Sequence, residues 1–382
     1  MSIAYTRALE IITTNIQTNP KPICMPLLSS IKHIAALDIF ATVSLPSWDI
    51  SLKDGYGVRL NDRGKCVVLD LQKHFLEDGI TYELSTGDAI KEGTQAVVAL
   101  EETRKLPDGI ALPKDFEKGQ NIKSKAEDIQ AGELLLQKGE YIKASHISAL
   151  ASCGINTVMV YKRPTIGILS IGDKLCDIKQ ALQHDETYNT NALWLASRIL
   201  EIGAKVYHIE KTKNDSLQIR EKLASLHKKC DFIITTGAMS RYDAMQELLY
   251  SPEFTLLFHK VKIAPAGASA LSIFEKKPLL HLPGLPLSAQ LGFELLGAPI
   301  LRTIRHEKKI YASAFCVTNK KEFISQEKSA CAIPGYFDGN TFLSAPSFGA
   351  GMLNVLAKCN GYALIHNKKI IKAGEKVNFY LF

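Results

Sequence analysis

A short segment with one acidic residue and two glycines, SWDISLKDGYGV at residues 47–58, has the clearest potential for chemistry. Asp54 lies there directly before Gly55, and Gly57 follows two residues later. Glycines relieve the steric limits on the backbone, so the carboxylate of Asp54 is predicted to be held at a tight bend that faces a ligand. The alternative is an ordinary surface turn, because Asp-Gly beside an aromatic residue is common in turns.

Further candidate residues are polar or loop-forming and lie in short segments that contain glycine or proline. They are Thr236, Gly237 and Ser240 in TTGAMS, and Pro283 and Pro286 in LPGLPLSA. For both prolines the alternative is the first turn of a helix, where proline is well tolerated.

Strands alternate with helices between residues 163 and 302, and this alternation predicts the element that positions the later candidates. PTIGILSIG and CDFIITTG are apolar, β-branched runs that end in glycine, which is typical of buried strands. NTNALWLASRILEIG has apolar residues at helical spacing and ends at Gly203. The pattern predicts a parallel, doubly wound sheet whose ligands bind beyond the carboxyl ends of its strands. SIGDK, TTGAMS and LPGLP all lie at such ends.

The flanking segments predict three further units, so the expected fold class is multidomain α/β and β. Short β-type runs separated by Gly, Pro and Asp fill residues 60–130 and recur near the C-terminus. We predict a discontinuous α+β domain, a small β-rich insertion, a central doubly wound three-layer α/β domain and a C-terminal β domain. Their respective boundaries are 1–45 plus 131–160, 46–130, 161–304 and 305–382.

Composition and charge exclude several classes of protein. The 382 residues are 46% hydrophobic and 22% charged, as in ordinary globular proteins. No apolar run approaches the roughly 20 residues of a spanning helix, so we predict no membrane partner and a cytoplasmic location. The net charge of +7 comes from dispersed lysines rather than a basic stripe, so no nucleic acid partner is expected. The eight cysteines form no CxxC pair, which predicts reduced thiols and no structural zinc.

The ordered motifs resemble those of the molybdopterin molybdenumtransferases, the bacterial MoeA family that includes the C-terminal domain of gephyrin. The segments that carry the resemblance follow the order of the family's motifs almost from end to end. They are SLKDGYGV (51–58), STGDAIKEGTQAVVALEE (85–102), NIKSKAEDIQAGE (121–133), ILSIGDKL (168–175), TTGAMS (235–240), LPGLPLSA (282–289), and FGAGMLNVLAKCNGYALI (348–365) with KAGEKVNFYLF (372–382).

The resemblance implies an elongated homodimer with a MogA-like central domain and a cleft between that domain and the first two domains of the partner subunit. The implied reaction inserts molybdate into adenylylated molybdopterin, which is molybdopterin-AMP, and releases AMP. Mg²⁺ is the implied cofactor. A molybdopterin adenylyltransferase of the MogA type is the implied partner, and a second MoeA-type protein is a further candidate.

The resemblance also implies roles for individual residues. Asp54, Asp128 in AEDIQAGE and Thr86 in STGDAI become the candidate catalytic residues. For Thr86 the alternative is an ordinary turn, and for Asp128 it is a cap on the segment AGELLL. Asp54, Asp128 and Asp243 become candidate Mg²⁺ ligands, since this hard cation prefers oxygen. The implied contacts to the pterin and its phosphates are Thr236, Gly237, Ser240, Pro283, Pro286 and Lys174.

Departures from the family's motifs are concentrated in the central domain. Lys174 stands where STGDEL has its acid, Ala238 replaces the second glycine of TTGGVS, Met245 replaces the final acid of SVGDYD, Leu285 replaces the Asn of LPGNP, and Ala266 belongs to PAGA (265–268) in place of PGKP. Lysine in place of a carboxylate reverses a local charge and removes an oxygen ligand. Two hypotheses follow for Lys174: it neutralises a ligand phosphate, or it pairs with a nearby acid and blocks the pocket.

Two functional hypotheses therefore remain. The first is an enzyme that completes molybdenum cofactor synthesis, supported by Asp54, Thr86 and Asp128. The second is a non-catalytic paralogue that binds or assembles molybdopterin or its finished cofactor, supported by the departures in the central domain.

The N-terminal helix TRALEIITTNIQ presents Leu9, Ile12 and Ile16 at helical spacing. Such an apolar face is expected to be covered by another part of the chain or by a partner subunit. We therefore predict a symmetric dimer.

Overall fold

The computed structural model describes residues 2–72, 74–326 and 328–382. The part of the chain up to residue 161 has one helix near its N-terminus, a series of short strands, a second helix and a final strand. The elements are α1 (Tyr5–Asn15), β1 (Pro22–Pro26), β2 (Ile39–Phe40), β3 (Ile50–Ser51), β4 (Gly55–Val58), β5 (Cys66–Leu69), β6 (Ile80–Leu84), β7 (Ala96–Ala99), β8 (Arg104–Leu106), β9 (Gly109–Ala111), β10 (Ile122–Lys123), β11 (Leu134–Leu136), α2 (Ala144–Ser152) and β12 (Thr157–Tyr161).

Longer strands and helices follow in the central part. They are β13 (Thr165–Ile171), β14 (Leu175–Cys176), β15 (Thr187–Tyr188), α3 (Thr190–Ile202), β16 (Lys205–Thr212), α4 (Ser216–His227), β17 (Phe232–Thr236), α5 (Ala244–Leu248), β18 (Phe254–His259), β19 (Ile263–Ala264), β20 (Ala270–Phe274), β21 (Lys277–Leu282), α6 (Pro286–Gly292) and α7 (Ala298–Ile304). A π-helical segment, Phe293–Gly297, joins α6 to α7.

The C-terminal part is built from strands. They are β22 (Phe315–Asn319), β23 (Phe323–Ile324), β24 (Ala330–Phe337), β25 (Thr341–Ser344), β26 (Gly361–Ile365), β27 (Ile370–Ile371) and β28 (Lys376–Leu381). The sheet runs β19-β24-β25-β22-β28-β26 and closes on itself because β24 also pairs with β26. The β19 strand of the central part thus extends this barrel.

The central sheet has the order β16-β13-β17-β21-β20-β18. Its first four strands are parallel to one another, β20 is antiparallel to β21, and β18 is antiparallel to β20, so the prediction of a wholly parallel sheet is wrong at β20. Alternate residues of β17 face opposite layers: Phe232 and Ile234 pack with α3, α6 and α7, whereas Ile233 packs with α4 and α5. A strand buried on both faces explains the continuous apolar run FII. The predicted fold class, a central three-layer α/β unit with β-rich units around it, is confirmed.

Strand pairing joins the two ends of the N-terminal part. β1 pairs with β12 and β2 pairs with β11, while a separate sheet of order β7-β4-β6-β5-β9-β8 lies in the intervening sequence. The short pair of β3 and β10 lies beside Asp54 and Asp128 in sequence. No helix in the described ranges has the length and apolarity needed to cross a membrane.

Helix α1 packs on the central unit of the same chain. Its apolar face, with Ala8 and Ile12 fully buried, belongs to the same core as α3 and α7. The Tyr5 hydroxyl donates a hydrogen bond to the carbonyl of Leu295 at 3.2 Å, in the π-helical segment. The same chain therefore covers this face, which gives no support for a dimer.

Arg305 joins the central unit to the N-terminal part. Its guanidinium is almost completely buried and donates to the carbonyls of Ile202, at the end of α3, and Lys32. Glu307 balances the charge through an ion pair with the same group. A buried arginine satisfied by three partners fixes the relation of these two parts.

The buried residue His281 of the central sheet makes the stability of the folded protein depend on pH. Its imidazole is fully buried, with the Thr235 hydroxyl 2.9 Å from Nδ1 and the Ser272 hydroxyl 2.8 Å from Nε2. Burial lowers the pKa of His281 from 6.5 to about 3. Below pH 6.5 the unfolded chain binds a proton that the folded chain does not, so this residue must lower the stability as the pH falls from 6.5 towards 3.

We therefore expect the free energy of unfolding of the parent to fall more steeply between pH 6.5 and 4 than that of His281→Gln, which cannot titrate there. Urea unfolding of both proteins at several pH values measures the difference. If the free energy of unfolding fell equally with pH in both proteins, His281 would have to bind its proton in the folded state as well.

Candidate active site

Asp54 lies at the start of β4, and the packing of that strand explains the glycines beside it. A Cβ on Gly55 would lie 2.2 Å from the carbonyl oxygen of Val98 on β7, and one on Gly57 would lie 2.5 Å from the ring of Tyr82 on β6. Neither glycine has a positive φ. The expectation that the glycines relieve a tight bend is wrong: they permit close approach of neighbouring strands.

The structure brings Asp54 and Thr86 together. The backbone N–H of Thr86 donates to Oδ1 of Asp54 at 2.7 Å, and both residues are exposed. The second carboxylate oxygen, Oδ2, has no hydrogen-bond partner within the described residues. Nearby, the N–H of Gly87 donates to the carbonyl of Ser51 at 2.8 Å, which holds the turn against β3. Asp54 thus presents a negative charge to solvent from a fixed position.

Asp128 lies on the same part of the chain, next to the short β3–β10 pair. Its Oδ2 is 2.5 Å from Nζ of Lys123. Lys123 lies on β10, opposite Ile50 of β3. The backbone N–H of Asp128 donates to the carbonyl of Leu45 at 3.0 Å. About half of the Asp128 side chain is exposed. Its carboxylate is therefore accessible but already has a cationic partner.

A cavity of about 240 Å³, lined by both polar and apolar residues, lies at the carboxyl ends of β13 and β17. The Thr236 hydroxyl donates to the carbonyl of Pro283 at 3.0 Å, and the Asn191 side-chain amide donates to the Thr236 oxygen at 3.1 Å and to the carbonyl of Gly284 at 2.8 Å. Two buried polar atoms on the wall, Oγ of Ser170 and Oδ1 of Asn191, have no hydrogen-bond partner in the described ranges. Such atoms are normally satisfied by water or a ligand.

The loops that close this cavity depend on glycine. Gly237 has a φ of 95°, and a Cβ there would lie 2.2 Å from the carbonyl oxygen of Ile171. Its N–H donates to the carbonyl of Leu282 at 3.1 Å. Leu285 and Pro286 line the same cavity, with Pro286 in the first turn of α6. The predicted residues Thr236, Gly237 and Pro286 therefore line one cavity, and Pro283 supports it through its carbonyl.

Ser240 and Asp243 form a turn before α5. Oδ2 of Asp243 accepts the backbone N–H of Ser240 at 2.7 Å, and its Oδ1 accepts the side-chain amide of Asn214 at 2.9 Å. Both carboxylate oxygens therefore hold local structure. Neither residue is part of the cavity wall described above.

Lys174 lies at the start of an exposed flap formed by β14 and β15. Its ammonium is 2.6 Å from Oδ2 of Asp185, and both side chains are more than half exposed. The next residue, Leu175, lines the cavity, whereas Lys174 does not. Lys174 thus pairs with a nearby acid, as one of the two hypotheses states. The pair does not block the cavity, because neither Lys174 nor Asp185 lines it.

The predicted magnesium ligands do not converge in one chain. No group of three His, Cys, Asp or Glu side chains able to hold a metal ion exists among the described residues. Asp128 is paired with Lys123, and both oxygens of Asp243 are engaged by Asn214 and Ser240. The residues present therefore do not fit a Mg²⁺ site built by a single chain.

Sequence inspection missed four wall residues. Asn191 and Ser170 lie in segments with a recognisable pattern, since Asn191 follows β15 at the start of α3 and Ser170 is the last polar residue of β13. Their position at carboxyl ends of parallel strands was a usable signal. Ser288 and Ser325 line a second cavity, and sequence alone gives no sign that they are close.

The fold and these cavities define a multidomain protein with a doubly wound unit that has a cavity at the carboxyl ends of its strands, an N-terminal unit that carries exposed carboxylates, and a C-terminal barrel. Two family models match it: "MoeA N-terminal region (domain I and II)" over residues 3–154 and "Probable molybdopterin binding domain" over residues 167–303. Together they span most of the chain, which therefore belongs to the MoeA family of molybdenum cofactor biosynthesis proteins.

Curated relatives and solved structures agree with this assignment. A molybdopterin molybdenumtransferase of Staphylococcus aureus (strain COL) is 28% identical over 326 residues, which cover 81% of this chain and 78% of the relative. One from Staphylococcus epidermidis (strain ATCC 12228) is 28% identical over 322 residues, covering 79% and 76%. The molybdopterin biosynthesis MoeA protein of Pyrococcus horikoshii OT3 has the same fold, with a TM-score of 0.86, 23% identity and complete coverage of both chains.

Proposed function

We propose that this protein is a molybdopterin molybdenumtransferase, which inserts molybdate into adenylylated molybdopterin and releases AMP. The observation that carries the proposal is the cavity at the ends of β13 and β17, where Ser170 and Asn191 have buried polar atoms without hydrogen-bond partners among the described residues. A pterin with exocyclic donors and acceptors can satisfy both atoms. The names of the curated relatives indicate transfer of molybdenum to molybdopterin. The adenylylated form of the substrate and the release of AMP are what the family resemblance implies.

On this proposal the chain's own residues bind and orient the substrate. Thr236 and Asn191 are held by each other and by the carbonyls of Pro283 and Gly284, so the wall is rigid before the ligand arrives. Asp54, fixed by the N–H of Thr86, contributes a directed negative charge from the N-terminal part. Asp128 contributes a second, partly neutralised one. Mg²⁺ stays a prediction of the family resemblance, and no step here depends on it.

We also infer that the protein acts as a homodimer, which would bring the carboxylates of one subunit to the cavity of the other. Support comes from apolar side chains exposed on the N-terminal part. Phe40 and Leu134, paired across β2 and β11, are 51% and 45% exposed, and Trp48 is 59% exposed. A MogA-type adenylyltransferase as the supplier of substrate, a second MoeA-type protein as a further partner, and a cytoplasmic location stay predictions.

A second candidate function is binding of the pterin or its finished cofactor without catalysis. The Lys174–Asp185 pair favours it, because the ammonium that replaces the family's acid is held away from the cavity wall. On this hypothesis the cavity keeps its pterin contacts, while the charge needed for the transfer step is missing.

Reconstitution with purified protein separates the two candidates. The full chain is mixed with adenylylated molybdopterin and molybdate, and both AMP release and activation of an apo-molybdoenzyme are followed. We expect AMP release that depends on molybdate, and complementation of a strain that lacks the transferase. Tight binding of the adenylylated pterin without AMP release would select the second candidate, and absence of binding would overturn both.

A further inference from the structure

The flap, residues 174–189, forms one wall of the cavity at the carboxyl ends of β13 and β17. Leu175 of β14 and both residues of β15, Thr187 and Tyr188, line that cavity. The other wall residues belong to the central sheet and to the loops and helices that follow its strands. The shape of the cavity therefore depends on the position of the flap.

The backbone of the flap holds that position only weakly. β14 and β15 contain two residues each and form a two-stranded sheet of their own. Two backbone hydrogen bonds join them, from the N–H of Thr187 to the carbonyl of Lys174 at 2.9 Å and from the N–H of Asn189 to the carbonyl of Cys176 at 3.0 Å. An isolated pair of strands is marginally stable at best. Side-chain contacts are therefore needed to fix the flap.

Two lysine side chains supply such contacts. Nζ of Lys174, directly before β14, is 2.6 Å from Oδ2 of Asp185, just before β15, so this ion pair links the two strands. Nζ of Lys211, near the end of β16, donates to the carbonyl of Leu175 at 2.9 Å and joins the flap to the central sheet. The family's STGDEL motif has an acid in place of Lys174, and an acid there would repel Asp185.

We propose that Lys174 and Asp185 are positioning residues, whose ion pair holds the flap closed on the cavity and so raises the affinity for the ligand. Neither side chain lines the cavity, so the pair acts through Leu175, Thr187 and Tyr188. The inference rests on the proposed function for the identity of the ligand, adenylylated molybdopterin. Opposite charges at the two positions are required, but either residue can carry either sign.

Reversal of the two charges tests this inference. Lys174→Glu and Asp185→Lys each place like charges side by side, and we expect each to raise KM for adenylylated molybdopterin about fivefold while kcat changes less than about twofold. The double variant Lys174→Glu/Asp185→Lys restores opposite charges and should return KM to the parent value. Asp185 has a φ of 64°, and lysine adopts a similar angle at Lys260, where φ is 66°, so a lysine is compatible with this backbone.

Hydrogen exchange of the ligand-free full chain follows the flap without the reaction. In peptides that cover residues 174–189, exchange should be faster in each single variant than in the parent and should return to the parent rate in the double variant. Arg7→Glu is the matched control, because it reverses a charge in another exposed ion pair, with Glu10, whose side chains are 64% and 62% exposed. It should change neither the exchange of the flap nor KM.

Each outcome decides a separate point. A double variant whose KM and exchange stay as in Lys174→Glu would overturn the positioning role and indicate that Lys174 contacts the ligand itself. Parent-like exchange in both single variants would overturn it as well. A parent that neither binds the adenylylated pterin nor releases AMP would overturn the proposed function, while the exchange rates would still decide whether the ion pair positions the flap.

Discussion

Asp54→Asn is expected to reduce molybdate-dependent AMP release at least 100-fold while leaving the fold intact. The asparagine keeps an Oδ1 that accepts the N–H of Thr86, so the local hydrogen bond survives. It removes the negative charge that this hydrogen bond directs. Loss of one preorganised electrostatic contact typically costs about 10²- to 10³-fold in rate, whereas an exposed substitution changes stability by about 0.5 kcal/mol or less.

Asp88→Asn is the matched control for this prediction. Asp88 is exposed in the same turn, and its Oδ2 accepts the N–H of Ser85 at 2.7 Å in the same way. Its neutralisation should leave the rate near that of the parent. AMP release by each variant, with thermal unfolding to check the fold, decides the matter. Equal impairment of both variants would mean that the general charge of the turn matters rather than the Asp54 carboxylate.

Arg198→Ala is expected to produce the largest loss of stability, about 3 to 5 kcal/mol, because it leaves a buried charge without a partner. Nε of Arg198 is 2.6 Å from Oε1 of Glu294, and Nη2 is 3.2 Å from Oε2, so the pair is bidentate. The side chains are only 12% and 4% exposed. The contact joins α3 to the π-helical segment between α6 and α7.

Two comparisons test the origin of that loss in urea unfolding. Arg7→Ala removes an arginine from an exposed ion pair with Glu10 and should change stability by at most about 1 kcal/mol. The double variant Arg198→Met/Glu294→Leu should recover most of the loss, since it removes both buried charges together. A double variant as unstable as Arg198→Ala would show that packing, and not the uncompensated charge, sets the cost.

The role of the glycines around Asp54 illustrates what local sequence leaves open. The pattern DGYG suggests a flexible bend, but Gly55 and Gly57 lie in a strand and have ordinary backbone angles. Their lack of a side chain matters because Val98 and Tyr82 approach from strands elsewhere in the sequence. A requirement for close approach cannot be distinguished from a requirement for an unusual φ until the neighbours are known.

The sequence by itself determined the parallel strands of the central sheet, since the alternation of apolar runs and helical spacing depends on residues close together in the chain. It did not predict that β20 runs antiparallel to its neighbours. It also determined the motif order and placed Thr236 and Gly237 at a strand end, where parallel topology puts ligand sites. These features follow from local periodicity and from general rules of α/β architecture.

The tertiary structure decided the features that depend on contacts between distant residues. The Tyr5 hydroxyl binds the carbonyl of Leu295, 290 residues away, and so places α1 against the central unit. Lys174 pairs with Asp185 across the flap, and Ser288 and Ser325 line one cavity from two units. Burial and charge pairing arise from the packing of whole units, and no local spacing in the sequence encodes which distant side chains meet.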